Sequence, residues 1–430
     1  MKVLISVLGK PFTKYQEVSW HLAGQSAEPF RTRMPAQLLA HLFQVDHTLV
    51  LIPDSLSTGG STYLELQEQP EELLPDEAWE GFKGELHRFV LPSRYSAKVL
   101  GDVRDFYQAG MFFLARWFSE HLSEPNAPLE LYLETSTGLN ILQLLTYRMV
   151  REIAGALAFF RQVSLEIYNA DPVGQSTTQG EIFPTEIYRP LRAALNRFSI
   201  NTTPRLLEPY DRLSSHPGQN PEYRGLRDEM ARLWPSKEVM AFLNSIYYGI
   251  PLGLIRWFCE KPAQIFEVLG QLYNHFLKQA RLLKKENSRF LRPVRLGSDF
   301  ASYALGALLS HQLQSRWNFF SANLKIEGTT YQQMKDLMSH MYRDHPVIRN
   351  RFEAERTIQP NTLNCKKFPS LLSQCLKSEE VPCESIDKRN FFAHAGFERC
   401  AVKVDRKNGE IYFRFAEEKE GTIQNFLRGA

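Results

Sequence analysis

The chain has 430 residues, 51 Lys or Arg against 48 Asp or Glu, a formal net charge of +3 and 43% hydrophobic residues. That composition excludes a disordered or highly charged class, and the length predicts two or three domains, each with enough apolar material for a core. The mild positive charge neither requires nor excludes nucleic acid, which would need a local basic patch. The five cysteines, Cys259, Cys365, Cys375, Cys383 and Cys400, form no CxxC pair and show no zinc-ligand spacing. Free thiols in a reducing cytosol are expected. No run approaches the ~20 apolar residues that span a bilayer. The N-terminal "MKVLISVLGK" has no cleavage-site pattern behind its short apolar run and reads as a strand, not a signal peptide. A cytoplasmic location with no membrane partner is expected.

In chain order, "VLISVL" (Val3–Leu8) is an apolar run that stops at Gly9, as a buried parallel strand does. "RMPAQLLAHLF" reads as a helix with Pro35 in its first turn, and "TLVLIP" as a second buried strand. The acidic "ELQEQPEELLPDEAWE" (Glu65–Glu80) reads as a solvated insertion. "DVRDFYQAGMFFLARWFSEHL" is a long helix with an apolar face, "LELYLE" (Leu129–Glu134) a strand, "GLNILQLLTYRMVREIAGALAFF" a helix and "VSLEIYN" a strand. This alternation predicts an open, mostly parallel α/β sheet. "PVGQSTTQGEIFP" (Pro172–Pro184) and "SSHPGQNPEYRG" (Ser214–Gly225) read as loops or boundaries, and "TEIYRPLRAALNRFSI" between them has no clear period. From about Ser236 the ~3.6-residue period of helices dominates, which predicts a helical bundle. "AVKVDRKNGEIYFRF" closes with a hairpin around Lys407-Asn408-Gly409. The fold class is therefore α/β plus all-α: residues 1–180 a sheet domain, 181–235 a linker or small helical module, and 236–430 a helical domain with a small β-hairpin.

Two loops stand where an open α/β sheet binds ligands, outside the carboxyl ends of its strands. One is "LGKPF", with Gly9, Lys10, Pro11 and Phe12; the other is "LETSTGLN", with Ser136, Thr137, Gly138 and Asn140. The second feeds a helix N-terminus, where unpaired N–H groups and the dipole favour an anion. Simple N-capping by Ser or Thr explains the same residues. Neither GxGxxG nor GxxxxGK[ST] is present, so no dinucleotide or triphosphate fingerprint supports an unrelated nucleotide enzyme.

"DKRNFFAHAGFE" (Asp387–Glu398) sets Arg389, Asn390 and His394 among aromatic residues. On a helix of ~3.6 residues per turn, Asn390 and His394 share a face while Arg389 lies beside it. Phe391, Phe392, Ala393 and Phe397 would anchor the other sides, and Gly396 would end the helix. A histidine can move a proton near neutral pH, a guanidinium can stabilise charge on phosphoryl oxygens, and an amide can orient either. That inventory suits attack of an RNA 2′-OH on its neighbouring phosphate, and DNA lacks the 2′-OH. An Arg and a His half-buried in a bundle and satisfied by a nearby acid would give the same pattern. The spacing also occurs at Arg116–His121, where a structural role is expected. The basic run Lys278–Arg295, with seven cations against one Glu, reads as a solvated face or a phosphate-binding stripe.

"RNFFAHAGFE" resembles the catalytic motif of HEPN ribonucleases, and the α/β half with its "TSTGLN" loop resembles a CARF domain, a Rossmann-like ligand sensor. Together they resemble the CRISPR-associated CARF–HEPN ribonucleases of type III systems, the Csx/Csm-type family. The resemblance implies a homodimer, or a higher oligomer, in which a cyclic oligoadenylate, cyclic tetra-adenylate above all, binds between two CARF domains. It implies that paired HEPN motifs then cut single-stranded RNA without a metal, in antiviral defence. Carried over, Arg389 and His394 are catalytic, Asn390 supports them, and Gly9–Phe12 and Ser136–Asn140 bind the activator. The alternative is a non-catalytic CARF-type regulator whose helical half binds nucleic acid or a protein; a helix-turn-helix in Tyr188–Trp234 would mark it.

Overall fold

The computed structural model describes residues 1–24, 28–56, 70–94, 99–137, 140–172, 178–210, 217–283, 289–376 and 383–429. The chain divides into two units. The first comprises Met1–Arg192, Arg205–Asp228 and Phe266–Leu305, and the second comprises Ala193–Pro204, Glu229–Ile265 and Gly306–Ala430.

Near-continuous apolar runs place β1 (Lys2–Val7) at the middle of the first unit. The other strands of its sheet are β2 (Val18–Leu22), β3 (Phe30–Thr32), β4 (His47–Pro53), β5 (Glu85–Leu91), β7 (Leu129–Glu134), β8 (Val163–Ala170) and β9 (Gln179–Tyr188). The short β6 (Val99–Leu100) lies in a separate small sheet. The main sheet has eight strands in the order β3-β2-β9-β8-β7-β1-β4-β5. From β5 to β8 the neighbours are parallel, with Ile5 opposite both Leu49 and Leu133. A strand buried on both faces needs apolar residues throughout, which is why β1 and β4 lack alternation. The helices α1 (Pro35–Phe43), α2 (Arg104–His121) and α3 (Asn140–Leu157) make the crossovers that parallel strands require.

Three expectations change here. The segment Pro172–Pro184 is not all loop, because β9 begins at Gln179 and runs antiparallel to β8. Its Gly and Thr imitate a loop, but Gly180 is there for packing: a Cβ would lie 2.4 Å from the Trp20 ring. The acidic stretch Glu65–Glu80 is not simply solvated, since Leu73, Leu74, Ala78 and Trp79 are buried in the core that covers α1; residues 65–69 lie outside the described ones. Residues 266–305, helical in their sequence pattern, group with the sheet unit. There β11 (Arg281–Leu283) pairs with β12 (Arg289–Leu291), which pairs with β6, while β10 (Leu207–Pro209) pairs with β13 (Val294–Leu296).

A buried charge cluster reinforces that grouping. Arg292 is fully buried and donates through Nη2 to Ser93 O at 2.9 Å. Its Nη1 lies 3.4 Å from Asp54 and its Nη2 3.6 Å from Asp105. Arg295 pairs with Asp102 and Glu208. Two cations of the basic run Lys278–Arg295 are therefore structural, and the run is not an uninterrupted phosphate-binding stripe.

The second unit is mostly helical. Its helices include α5 (Ser236–Tyr248), α6 (Pro251–Trp257), α9 (Ala322–Glu327), α10 (Tyr331–Met341), α11 (Pro346–Glu353), α12 (Lys388–Ala393) and α13 (Glu420–Arg428). The helices α4 (Pro221–Leu233), α7 (Pro262–Lys278) and α8 (Phe300–Arg316) cross the unit boundaries in sequence. Pro251 and Pro346 occupy first-turn positions, where a missing N–H costs nothing. A small sheet of order β14-β17-β16-β15 joins Thr329–Thr330, Glu410–Phe415, Val402–Lys407 and Ser370–Leu371. Its central hairpin turns at Asn408 and Gly409, both with positive φ, as expected from the sequence. The thiols depart from expectation: Cys365 bonds Cys375 and Cys383 bonds Cys400, leaving Cys259 free and buried. The pairs lie 10 and 17 positions apart, and sequence spacing alone does not reveal their proximity.

Candidate functional site

Helix α12 begins at Asp387, whose carboxylate accepts a hydrogen bond from Asn390 N at 2.7 Å. Phe391 is fully buried and meets Phe415 and Phe426 with ring centroids 6.1 and 5.9 Å away. Phe392 is half-buried beside Tyr248, whereas Ala393, expected as an anchor, is exposed. The helix ends through Ala395 and Gly396, both left-handed, and Gly396 N donates to Phe391 O at 2.8 Å. A Cβ on Gly396 would also sit 2.6 Å from Ile250.

This geometry leaves His394 half exposed over a cavity of about 350 Å³ that Asn390, Phe397, Glu398 and Arg399 also line. The His394 Nδ1 lies 2.7 Å from Glu355 Oε2. Glu355 is itself buried, and its other oxygen accepts from Thr357 N at 3.0 Å and from the Thr357 hydroxyl. With Nδ1–H donating to a fixed carboxylate, the imidazole is oriented and Nε2 is left to exchange a proton. Glu398 is also buried, accepts from Cys400 N at 2.8 Å, and burial raises its pKa. Arg389 is exposed, does not line this cavity, and its side chain makes no hydrogen bond or ion pair among the described residues. Asn390 and His394 are thus brought together, and Arg389 stands apart on the same helix.

The first unit carries a second cavity, of about 400 Å³, beyond the carboxyl ends of β1 and β7. Gly9, Lys10, Ser136 and Thr137 line it; Pro11, Phe12 and Asn140 do not, and Gly138 lies outside the described residues. Lys14, Tyr15, Trp20 and Arg33 also line it, as does the acidic Asp171, none of them singled out in the sequence. Lys10 Nζ lies 4.6 Å from the Tyr15 ring centroid, and the Arg33 guanidinium 5.3 Å from that of Phe12. The Tyr15 hydroxyl accepts from Gly9 N at 3.0 Å, and burial pushes its pKa up to about 12, so it stays protonated.

Glu134 shapes this cavity from beneath. Fully buried, it accepts from the Ser6 hydroxyl at 2.7 Å and from Ser136 N at 2.5 Å, and its Oε2 lies 3.0 Å from the Thr137 hydroxyl oxygen. Burial raises its pKa. Thr137 donates to Val7 O at 2.6 Å, so its hydroxyl is committed to the loop. The Ser136 hydroxyl oxygen is buried with no partner among the described residues. Three cations against one acid, Asp171, together with two aromatic rings suit an anion that carries planar groups.

Residues 3–172 match the family model described as the CARF domain of the CRISPR system endoribonuclease Csx1, and residues 346–418 match that of its HEPN domain. The curated CRISPR system endoribonuclease Csx1 of Methanocaldococcus jannaschii is 24% identical over 356 residues, which cover 77% of this chain and 72% of the relative. The chain belongs to the CRISPR-associated CARF–HEPN ribonuclease family. The CARF match spans the residues that line the cavity beyond β1 and β7, and the HEPN match holds Glu355, Arg389, Asn390 and His394. A solved structure, Enterococcus italicus Csm6 bound to cyclic hexa-2′-fluoro-hexa-dAMP, covers 83% of this CARF–HEPN chain and 66% of its own, at 10% identity and a TM-score of 0.22.

Arg116–His121, the other instance of the spacing, is structural. Arg116 pairs with Glu120 at 2.8 Å, and His121 Nδ1 meets Trp117 O at 2.8 Å. Sequence reasoning missed Glu355, 39 positions from its histidine, because no local pattern connects them. Lys14 and Arg33 were missed because only folding brings the 3-10 turn Phe12–Lys14, after β1, beside the start of α1. Among the described residues, no helix is long and apolar enough to cross a membrane.

Proposed function

We propose that the chain is a metal-independent endoribonuclease that cuts single-stranded RNA in type III CRISPR defence when a cyclic oligoadenylate fills the CARF cavity. His394 carries the reading: a solvent-facing imidazole over a cavity, oriented by a buried carboxylate. In this scheme the His394 Nε2 takes the proton from the ribose 2′-OH, whose oxygen attacks the adjacent phosphorus; the P–O5′ bond breaks, the 5′-oxygen takes a proton from water and leaves as a hydroxyl, and the imidazolium returns its proton to solvent. Asn390 holds a phosphate oxygen, and Arg389 stabilises charge on the phosphorane. The exposed, unpaired Arg389 fits a homodimer in which each arginine serves the cleft formed with its copy across a two-fold axis. Two CARF cavities facing each other across that axis would hold one cyclic tetra-adenylate, its phosphates on Lys10, Lys14 and Arg33 and its bases on Tyr15 and Trp20. The protein would act in the cytoplasm.

The chemistry of the ends tests this. RNA incubated with the protein and cyclic tetra-adenylate in EDTA should yield 2′,3′-cyclic phosphate and 5′-hydroxyl ends, and an RNA whose ribose at the cut site is 2′-deoxy should resist. Cleavage of that deoxy site, or 5′-phosphate products, contradicts the scheme. No cleavage with any cyclic oligoadenylate favours the non-catalytic regulator.

A further inference from the structure

The amino ends of β4 and β5 lie at the edge of the sheet opposite the cavity, and a cluster there is used by nothing described so far. Strand register makes it. His47 is paired with Glu85, and Leu49 with His87, in a parallel ladder. Side chains two apart share a face, so His47, Glu85 and His87 project to one side. On that side the end of α2 brings Trp117 against both imidazoles, with ring centroids 5.1 and 5.4 Å away. His121 stacks on Trp117 and stands 5.6 and 5.5 Å from the His47 and His87 rings.

The three donor atoms form a near-regular triangle. His47 Nδ1 lies 3.2 Å from His87 Nε2, and Glu85 Oε2 lies 3.6 Å from each nitrogen. A carboxylate oxygen that far from both nitrogens makes a good hydrogen bond to neither. Bonds of about 2.0–2.1 Å to a tetrahedral zinc ion set donor–donor edges of about 3.3–3.4 Å, which match one face of that tetrahedron. Two imidazoles and one carboxylate suit a borderline metal such as zinc and do not suit magnesium or calcium, which take oxygen ligands. The Glu85 side chain is 71% exposed, so an ion has an open path and water can fill the fourth position.

We propose that His47, Glu85 and His87 form a zinc-class metal site that clamps the edge strand β5 to β4. It lies in the sheet unit, apart from the residues of the ribonuclease motif, and does not depend on the proposed activity. The full chain, stripped with chelator and desalted, is titrated with zinc chloride by calorimetry and with cobalt(II) chloride by visible absorption. Melting is followed with and without zinc. The expected result is one zinc per chain at this site, tetrahedral cobalt bands and a raised Tm. Glu85→Gln, an exposed change that leaves the core intact, should weaken zinc binding about tenfold or more. His87→Ala should remove the cobalt bands. Absence of zinc binding by the wild type overturns the proposal. So does binding that is equal in wild type, Glu85→Gln and a folded His87→Ala, which would place the ion elsewhere.

Discussion

His394 takes its orientation from Glu355, and under the proposed scheme the pair is the most direct handle on cleavage. Glu355→Gln keeps the side chain's shape but removes the charge that holds Nδ1–H. RNA cleavage should fall about 10²–10⁴-fold with the melting temperature little changed, read by single-turnover rates. A full-rate variant would make the carboxylate a bystander. In the CARF cavity, Lys14→Ala and Arg33→Ala should each raise the activator concentration for half-maximal cleavage about tenfold while sparing the maximal rate. Unchanged activation curves would move the ligand elsewhere. At this scale the sequence announced the residues next to each other in it. Asn390 and His394, four apart, meet at one cavity, as do Gly9, Lys10, Ser136 and Thr137 at the other. Their partners Glu355, Lys14 and Arg33 come from other elements, and no spacing rule reaches them.

Helix α12 has only six residues and holds its place through its ends. Gly396 needs both its left-handed φ and its missing Cβ, so Gly396→Ala should cost about 1–3 kcal/mol in denaturant melts. A neutral effect would mean that the turn is not as described. The Cys383–Cys400 bridge closes a 17-residue separation around the same helix. Replacing both with Ser should lower stability by about 3 kcal/mol on the chain-entropy argument, and equal stability under reducing and oxidising conditions would show that the bridge is not formed. Elements with one clear period were legible: β1 and β4 as apolar runs, β7 as the strand "LELYLE", and the hairpin by Asn408-Gly409. The strands β2, β3, β5 and β9 were not. "ELHRFVL" opens with polar residues because the start of β5 is partly exposed, and β9 hides its pairing behind Gly and Thr.

Across the whole molecule, sequence order and spatial grouping differ. Residues 266–305 are helical in pattern, yet Arg292 sits buried among Asp54, Asp105 and Ser93. Burial pushes the Asp105 carboxyl up to about 7 from its usual 3.8. A folded pKa above the unfolded one means that the native state binds the extra proton. That contribution is complete below the unfolded pKa and is lost as pH rises through about 7. Between pH 5 and 7 the wild type should therefore lose up to about 1.4 kcal/mol per pH unit relative to Asp105→Asn. The His47 and His87 pKa values are lowered mainly by burial, which has the opposite pH trend, but both proteins share it and it cancels in the difference. Parallel stability curves would show that Asp105 stays ionised. Above all, the molecule is read as one in which a filled CARF cavity turns on a histidine-dependent ribonuclease. The deciding measurement is the single-turnover rate of single-stranded RNA cleavage in EDTA, with and without saturating cyclic tetra-adenylate, for the wild type and His394→Ala. The expected result is ligand-stimulated cleavage by the wild type and a rate at least about 10³-fold lower in the folded variant; equal stimulated rates in the two proteins would contradict it.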